Sequence, residues 1–482
     1  MRLSAKSFFW ILAGVAFSRL FLMMVLPLVD TSEPRYAEIA RLMASSNDWI
    51  TPWFEPGVPF WGKPPLSFWA QALSIKLFGL SEFAVRLPSL LAMTVVATLV
   101  YGAGSVLYGK NVARWAAVIL ATMLLPLVSA GAVLTDPFFA LGITLSMSAF
   151  LVVRYRATVF WRYAFFVGLA IGLLAKGPLT IVLVAGSCLM WLAGQRDWQL
   201  HLKGLPWARG ILLAALITLP WYIAAEIKTP GFIQYFIIGE HFLRFVDAGW
   251  AGDLYGTAHE RPLGAIWMDW LFASLPWSLI VLSAIGGSLV KRAGRGVLVQ
   301  SLRESTSSYL LIWAFIAPLF FTLSRNILWT YVLPSLPPMA LMLGVLADRL
   351  KFAESSRVWI GAVRASLALV PVIALILGML SLNSPSRFKT EKHLIAQAER
   401  YMTAHEKLYY VNGRPFSARY YSQGTAEVLS ENQIAQVLPT SQNRVFLAIR
   451  KGQLPTVLRA WPGTIKALFS NRRYTLYEVR GN

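Results

Sequence analysis

The chain has 482 residues, of which 56% are hydrophobic and 14% are charged. A soluble domain carries roughly 25% charged residues, so the composition predicts a polytopic helical membrane protein. The formal net charge of +21 would suit a nucleic-acid-binding protein, but the basic residues are scattered over loops and form no basic helix or RNA-binding motif, which excludes that class.

Cys188 is the single cysteine and lies in an apolar run. An internal disulfide and a cysteine-based metal site are therefore excluded.

The first predicted element is an apolar helix over 7–29, which follows Arg2 and Lys6. Its core is too long for a signal peptide and no small-residue cleavage site follows it, so we interpret it as an uncleaved transmembrane helix. Arg19 lies within this helix. An arginine there would form a buried pair or extend toward the interface, and we expect a structural role.

Apolar runs of transmembrane length continue along residues 1–382 and predict eleven spans in an all-α membrane domain. The predicted spans are 7–29, 84–107, 112–130, 137–153, 160–174, 178–194, 208–226, 263–290, 307–324, 328–347 and 357–382. Lysine and arginine are concentrated in alternate short loops. Since cytoplasmic loops carry the excess of these residues, we expect a cytoplasmic N-terminus and a C-terminal region on the outer side.

Two long loops, 30–83 and 227–262, lie on the predicted outer side. The first is rich in acids, bases and aromatic residues, and long loops of this kind are commonly functional. Amphipathic stretches at 33–45 and 64–78 predict helices that lie along the membrane surface.

Residues 383–482 have a different pattern, which predicts a small α/β domain outside the membrane. A helical pattern occurs near 390–405. Strand-like runs follow at Leu408–Val411, Arg444–Ile449 and Tyr474–Val479. The pattern does not define the fold of this domain.

Ionisable residues stand at the outer ends of several predicted spans. They are Asp30, Glu33, Asp136, Lys176 and Arg325. A helix cap or an interfacial anchor explains each of them alone equally well, and an aspartate before a proline is an ordinary start of a helix. Charges near the hydrocarbon are costly and tend to face a shared cavity, so the set together predicts a site beside loop 30–83.

A series of motifs occurs in one order along residues 1–345. It comprises Glu33–Ala40, Asn47–Pro52, Lys63–Pro65, Phe83–Pro88, Thr135–Pro137, Ala175–Pro178, Glu240–Phe245, His259–Pro262 and Tyr331–Pro334. The series closely resembles the aminoarabinose (lipid A) transferase branch of the protein O-mannosyltransferase-like glycosyltransferases, in the GT-C superfamily.

The resemblance implies a GT-C fold in the bacterial inner membrane and a reaction on the periplasmic face. It implies an undecaprenyl-phosphate-linked sugar as donor and an envelope glycolipid, such as lipid A, as acceptor. We expect a monomer that binds membrane lipids and no nucleic acid.

The leaving group of such a transfer is a lipid phosphate, so fixed positive charge should stabilise the transition state. The residues predicted to bind the donor phosphate are Lys63, Lys176, Arg244 and Tyr331. Arginine offers several planar donors to phosphate oxygens, lysine acts as a point charge, and the tyrosine hydroxyl would add a donor.

A carboxylate would help a hydroxyl acceptor, whereas a phosphate acceptor needs orientation more than deprotonation. Strict spacing from Arg35 puts Ser32 at the place of the family's acid, and a two-residue insertion would put Asp30 there. We expect Asp30 to be the main catalytic carboxylate, supported by Glu33 and Asp136. The residues predicted to orient the acid or the substrate are Arg35, Tyr36, His241 and His259.

One position departs from the family pattern. The well-studied branch has an acid directly before the Lys-Pro-Pro motif, implicated with a histidine in binding a metal, whereas this chain has Gly62. Glycine offers no side-chain ligand and no convincing partner set for zinc is seen. We therefore expect no required metal or other cofactor, although a divalent ion could bind.

Two other functions use the same features. A protein O-mannosyltransferase would use a similar donor with a Ser/Thr acceptor, and a transporter would move a lipid-linked sugar across the membrane. The long first loop and the lack of an internal repeat favour transfer over transport. The sugar and the acceptor stay open.

Overall fold

The computed structural model describes residues 2–247, 250–256, 260–290, 304–349, 357–403, 405–438 and 444–481. In these ranges, six helices are long and apolar enough to cross a membrane, and a bent pair, Ala265–Ala273 with Trp277–Ser283, would make a seventh. Shorter apolar helices cover Asp136–Val152, Leu179–Ala193 and Ser305–Phe321. The predicted helical membrane protein is confirmed, while the number of eleven spans stays a prediction.

The helices of the membrane part follow one another in chain order. They are α1 (Ala5–Val25), α2 (Ser32–Ser46), α3 (Leu66–Phe78), α4 (Glu82–Tyr108), α5 (Lys110–Thr122), α6 (Leu124–Ser129), α7 (Asp136–Val152), α8 (Val159–Lys176), α9 (Leu179–Ala193), α10 (Trp198–Leu202), α11 (Trp207–Lys228), α12 (Arg244–Val246), α13 (Ala265–Ala273), α14 (Trp277–Val290), α15 (Ser305–Phe321), α16 (Leu336–Arg349) and α17 (Arg357–Asn383). A π-helix at Gln234–Leu243 and a 3-10 helix at Trp329–Ser335 complete this part.

Two predicted spans are interrupted. The run 112–130 is divided at Met123, whose backbone is extended, and the next N–H, of Leu124, donates to the carbonyl of Leu275 at 2.9 Å. The run 263–290 bends by 103° between α13 and α14, beside Pro276, which has no N–H to continue a helix. The sequence indicated the two apolar runs but not these breaks, because apolar character alone does not show where backbone bonds leave the helix.

Loop 30–83 is ordered as two helices, α2 and α3, joined through a short hairpin of β1 (Trp53–Glu55) and β2 (Val58–Pro59). α2 is one residue longer at each end than the predicted stretch 33–45, and α3 begins two residues later than the predicted stretch 64–78. Their buried aromatic side chains Tyr36, Phe60 and Phe68 pack together. The loop is therefore a folded unit with its own core.

Glycines set how closely α7 and α8 approach. A Cβ at Gly142 would lie 2.5 Å from the backbone N of Gly172, and a Cβ at Gly168 would lie 2.6 Å from the carbonyl of Gly142. Small residues allow this kind of close helix contact in membranes. Since α7 begins at Asp136 and α8 ends at Lys176, the contact brings these two ends together.

The C-terminal domain, residues 385–481, contains a five-stranded sheet in the order β4-β3-β5-β7-β6. Its elements are α18 (Lys392–Tyr401), β3 (Leu408–Val411), α19 (Phe416–Tyr421), β4 (Glu427–Leu429), α20 (Ile434–Val437), β5 (Arg444–Arg450), α21 (Thr456–Arg459), β6 (Thr464–Ser470) and β7 (Tyr474–Arg480). β3 is parallel to β4 and β5, while β7 is antiparallel to β5 and β6. The small α/β domain is confirmed, and β4 and β6 are strands that the sequence pattern missed.

Candidate active site

One cavity of about 310 Å³ lies where the first loop meets the ends of α7 and α8, the π-helix and the 3-10 helix. Most of the predicted site residues line it. They are Asp30, Glu33, Arg35, Tyr36, Lys63, Asp136, Lys176, Arg244 and Tyr331. Stretches up to 301 positions apart in the sequence thus meet, and the roles assigned to these residues stay predictions.

Lys63 and Arg244 share a single carboxylate, that of Glu240. Lys63 Nζ lies 3.1 Å from Glu240 Oε2, and Arg244 Nη1 lies 2.9 Å and 3.1 Å from Oε1 and Oε2. Arg244 also pairs with Asp253 at 3.3 Å. Two cations that are far apart in the sequence therefore meet at one carboxylate, that of Glu240.

The ionisation of this group follows from its charges. Burial alone would raise the pKa of Glu240, but Lys63 and Arg244 outweigh burial and lower it below the ordinary value. Burial alone would lower the pKa of Lys63, but Glu240, with smaller contributions from Tyr36 and Tyr331, outweighs burial and raises that pKa. All three side chains are therefore charged at neutral pH.

Asp136 and Lys176 form a buried ion pair across the α7–α8 contact. Lys176 Nζ lies 2.6 Å from Asp136 Oδ1, and the two side chains are only 7% and 9% exposed. The ammonium group also lies 4.6 Å from the ring centre of Tyr331, a cation–π distance. The pair borders the cavity with one lysine positioned between an acid and an aromatic ring.

Glu33 is fixed by Arg86 of α4. Arg86 donates to Glu33 from Nε at 3.1 Å and from Nη2 at 2.8 Å, and the N–H of Val133 donates to Glu33 at 3.1 Å. Arg86 also donates to backbone carbonyls at the end of α1. Glu33 therefore anchors the start of α2, and its predicted catalytic support would have to act from this fixed position.

Asp30 is held by the C-terminal domain. Its Oδ1 accepts from the N–H of Ser417 at 2.8 Å, and its Oδ2 accepts from the Ser417 hydroxyl at 2.5 Å and from Arg473 Nη2 at 2.6 Å. Its own N–H donates to the carbonyl of Lys389 at 2.9 Å. The side chain is 1% exposed, so the predicted catalytic carboxylate is fully bonded at the cavity wall.

Glu391 shares Arg473 with Asp30. Arg473 Nη2 lies 2.7 Å from Glu391 Oε1, and Asn471 Nδ2 lies 2.7 Å from Oε2. Burial raises the pKa of Glu391 above its ordinary 4.5, with a smaller contribution from Asp30, and outweighs the opposing effect of Arg473. One guanidinium thus serves two buried carboxylates.

This raised pKa predicts a pH effect on stability. Between 4.5 and the higher pKa of the folded state, the folded chain binds more protons than the unfolded chain, so the free energy of unfolding falls as pH rises. Glu391→Gln should flatten this dependence, measured by thermal unfolding of the full chain across that pH range. Glu399→Gln, an exposed position on the helix that Glu391 directly precedes, should keep the wild-type slope, and equal slopes in both variants would contradict the prediction.

Arg35 differs from Lys63, Lys176 and Arg244 in that no carboxylate among the described residues pairs with it. Its Nη1 donates to the carbonyl of Tyr255 at 2.8 Å, whereas its buried Nε has no hydrogen-bond partner in the described part of the chain. The guanidinium lies over the rings of Tyr36 and Phe416 at 5.1 Å and 5.6 Å. Buried unpartnered donors are costly, so Arg35 fits its predicted role of contacting substrate.

Of the two histidines predicted to orient the acid or the substrate, the structure describes His241. His241 does not line the cavity, and its ring nitrogens lie 2.7 Å from the carbonyl of Phe236 and 2.9 Å from that of Lys176. It therefore ties the π-helix to the end of α8 instead of facing a substrate. His259 lies outside the described residues.

The residues present do not fit a zinc site. Within the described ranges, no group of three or more His, Cys, Asp or Glu side chains could hold a metal ion. At Gly62, an added Cβ would lie 2.9 Å from the Phe60 ring, and both nitrogens of His241 already face carbonyls.

Sequence reasoning missed several residues of the site. Glu240 stands four residues before Arg244, and that helical spacing of opposite charges was a readable signal. Tyr255 donates to the carbonyl of Pro59 at 2.7 Å and lines the cavity. Nothing in the sequence indicated that residues of the C-terminal domain would reach Asp30.

Comparison with known proteins agrees with this geometry. Residues 6–236 match the family model described as dolichyl-phosphate-mannose-protein mannosyltransferase. The chain is 32% identical over 323 residues to the undecaprenyl phosphate-alpha-4-amino-4-deoxy-L-arabinose arabinosyl transferase of Edwardsiella ictaluri, covering 66% of this chain and 55% of that protein. It is 31% identical over 316 residues to the protein of that name from Erwinia tasmaniensis, covering 64% and 54%. The chain thus spans about half the length of the curated relatives it matches.

Solved structures share the fold. The crystal structure of ArnT from Cupriavidus metallidurans bound to undecaprenyl phosphate matches with a TM-score of 0.76 and 18% identity, over 98% of both chains. The archaeal oligosaccharyltransferase AglB from Archaeoglobus fulgidus, in complex with an inhibitory peptide and a dolichol-phosphate, matches with a TM-score of 0.52 and 13% identity, over 88% of this chain and 65% of that chain.

These structural matches define the fold of the chain as that of ArnT. The resemblance to the aminoarabinose transferase branch of the O-mannosyltransferase-like family is confirmed by the family model and by the sequence relatives.

Proposed function

We propose that this chain transfers a sugar from undecaprenyl phosphate to a glycolipid of the cell envelope, with lipid A as the acceptor and aminoarabinose as the sugar. One observation carries the proposal: Lys63 and Arg244 converge on one carboxylate at a cavity that Lys176 and Tyr331 also line. Fixed cations that lie close together can stabilise the charge on the phosphate that leaves with the lipid.

The acids of the cavity favour an acceptor that is already ionised. Asp30, Glu33, Asp136 and Glu240 are each ion-paired within the described residues. A hydroxyl acceptor would gain from a carboxylate free to take its proton, whereas a phosphate oxygen of lipid A needs only to be oriented.

The reaction then follows from the charges. A phosphate oxygen of the acceptor attacks the anomeric carbon of the sugar, and the bond from that carbon to the oxygen of undecaprenyl phosphate breaks. The bonding electrons leave with undecaprenyl phosphate, and Lys63 and Arg244 stabilise the charge that develops there. Arg35 and Tyr36 orient the sugar. The carboxylate of Asp30 fixes the part of the cavity wall to which these two residues belong.

The cellular setting belongs to the same proposal. We place the protein in the bacterial inner membrane as a monomer, with the N-terminus cytoplasmic and the cavity and the C-terminal domain periplasmic. The helices α2 and α3 would lie along the periplasmic surface of that membrane, a position that the amphipathic pattern of α2 suits.

Purified protein in lipid nanodiscs, given an undecaprenyl-phosphate sugar with a radiolabel, tests the proposal. Labelled lipid A should appear with lipid A as acceptor and not with enzymatically dephosphorylated lipid A. A product only with a Ser/Thr peptide would favour the O-mannosyltransferase function instead. In sealed liposomes, a change of donor sidedness without a product would indicate transport.

Metal dependence gives a further prediction. Because Gly62 removes the side-chain ligand beside Lys63, treatment with a chelator should leave the rate of transfer within about 2-fold of the untreated protein. The measurement is turnover with excess EDTA, with zinc added back as the control. A strong loss that zinc restores would contradict it.

A further inference from the structure

The C-terminal domain contacts the first outer loop through partly buried polar groups. Arg419 of α19 pairs with Glu55 of β1 at 2.9 Å and with Glu38 of α2 at 3.5 Å. Lys392 of α18 pairs with Glu82, at the start of α4, at 2.5 Å. These contacts fix the domain against the loop that forms one wall of the cavity.

The hydrogen bonds from the C-terminal domain to Asp30 also fix a residue of the cavity wall. The domain supplies three donors to the Asp30 carboxylate and one acceptor to its backbone N–H, so both the position and the orientation of this residue are set from outside its own loop. Residues 30–33, 35 and 36 all line the cavity. A shift of Asp30 would therefore move the wall that includes Arg35 and Tyr36.

We propose that the C-terminal domain is a working part of the transfer site, in which Arg473 and Ser417 are positioning residues that fix Asp30 and, through it, the cavity wall of residues 30–36. The proposal rests on the transferase function proposed above. Its physical basis is that three donors leave a buried carboxylate one orientation. Misplacement of a reacting group by about 1 Å can cost about 100-fold in rate.

A purely structural role for the domain makes a different prediction. The Lys392–Glu82 pair joins the same two parts of the molecule without touching Asp30 or the cavity. Lys392→Gln therefore weakens attachment alone and is the matched control for Arg473→Gln, which weakens attachment and also releases Asp30.

Steady-state kinetics of the full chain in nanodiscs separates the two roles. Arg473→Gln should lower kcat by about 100-fold with little change in KM for the donor, and Lys392→Gln should stay within about 5-fold of wild type. Arg473→Lys should recover part of the loss. In an Asp30→Asn background, Arg473→Gln should add little, since both changes remove the same interaction. Equal losses in Arg473→Gln and Lys392→Gln, or additive losses with Asp30→Asn, would overturn the proposal.

A second measurement does not depend on activity. In a Cys188→Ser background, Ser32→Cys places a thiol on the cavity wall, and its rate of labelling by a water-soluble maleimide reports how firmly that wall is held. Arg473→Gln should raise this rate by about 10-fold or more, and Lys392→Gln should leave it unchanged. An unchanged rate in Arg473→Gln overturns the positioning role whatever the turnover, whereas a wild-type chain that forms no glycolipid overturns only the transferase function.

Discussion

Replacing Lys63 with alanine is expected to lower kcat for sugar transfer by about 100-fold to 1000-fold, the range for removing one charge-stabilising donor from an active site. The change removes a cation held 3.1 Å from Glu240. It also leaves the negative charge of Glu240 near the phosphate with one fewer cation to balance it, since Arg244 then pairs with Glu240 without Lys63. Turnover of the labelled donor by folded protein in nanodiscs measures the effect.

Lys76→Ala provides the control for Lys63→Ala. Lys76 belongs to the same loop, is exposed and does not line the cavity, so its loss should leave kcat near the wild-type value. The double variant Lys63→Ala/Glu240→Gln removes the attraction of Lys63 for the phosphate and also the repulsion between Glu240 and the phosphate. It should therefore recover more of the donor affinity than of kcat. Near-normal turnover of folded Lys63→Ala would show that Lys63 does not act on the donor phosphate.

Replacing Lys176 with methionine is expected to destabilise the protein by about 3–5 kcal/mol, because breaking a buried pair leaves an uncompensated charge. The charge left behind is Asp136, whose side chain is 9% exposed at the glycine-lined contact of α7 and α8. A lower apparent Tm and a lower yield of monodisperse protein in detergent would record the loss.

Neutralising both partners separates stability from function at this pair. Asp136→Asn/Lys176→Met should regain most of the stability lost in Lys176→Met, since no unpaired charge stays buried. Its turnover should stay low if Lys176 also binds the donor phosphate. Full activity in the double variant would make the pair structural, and an undiminished Tm in Lys176→Met would show that the pair contributes little.

That the chain is a helical membrane protein was predictable from the sequence, because this class depends on local features. Apolar runs, amphipathic stretches and the motif around Lys63–Pro65 each lie within about 20 residues, which is the scale on which a membrane-spanning helix is specified. The meeting of Asp136 and Lys176 was also predictable in outline, because both stand at outer ends of neighbouring spans.

The break at Met123 and the partners of Asp30 were not predictable in the same way. Each depends on a hydrogen bond between distant segments, such as Leu124 to Leu275 or Ser417 to Asp30. A sequence pattern indicates on which face of a helix or strand a residue lies. It does not show which distant donor will form a hydrogen bond with that residue. Glu240 lies between these cases, because its spacing from Arg244 was visible while its bond to Lys63 was not.

The bond from Arg473 to Asp30 joins residues 443 positions apart in the chain. During synthesis, the membrane helices and the first loop are made long before β7, so a nascent chain has its lipid-facing parts in place while Asp30 still lacks its guanidinium partner. A chain that ended between residues 383 and 473 would keep the membrane helices and Asp30 but would lack that partner. The contact at Asp30 is therefore complete only when the segment that directly precedes β7 has been made.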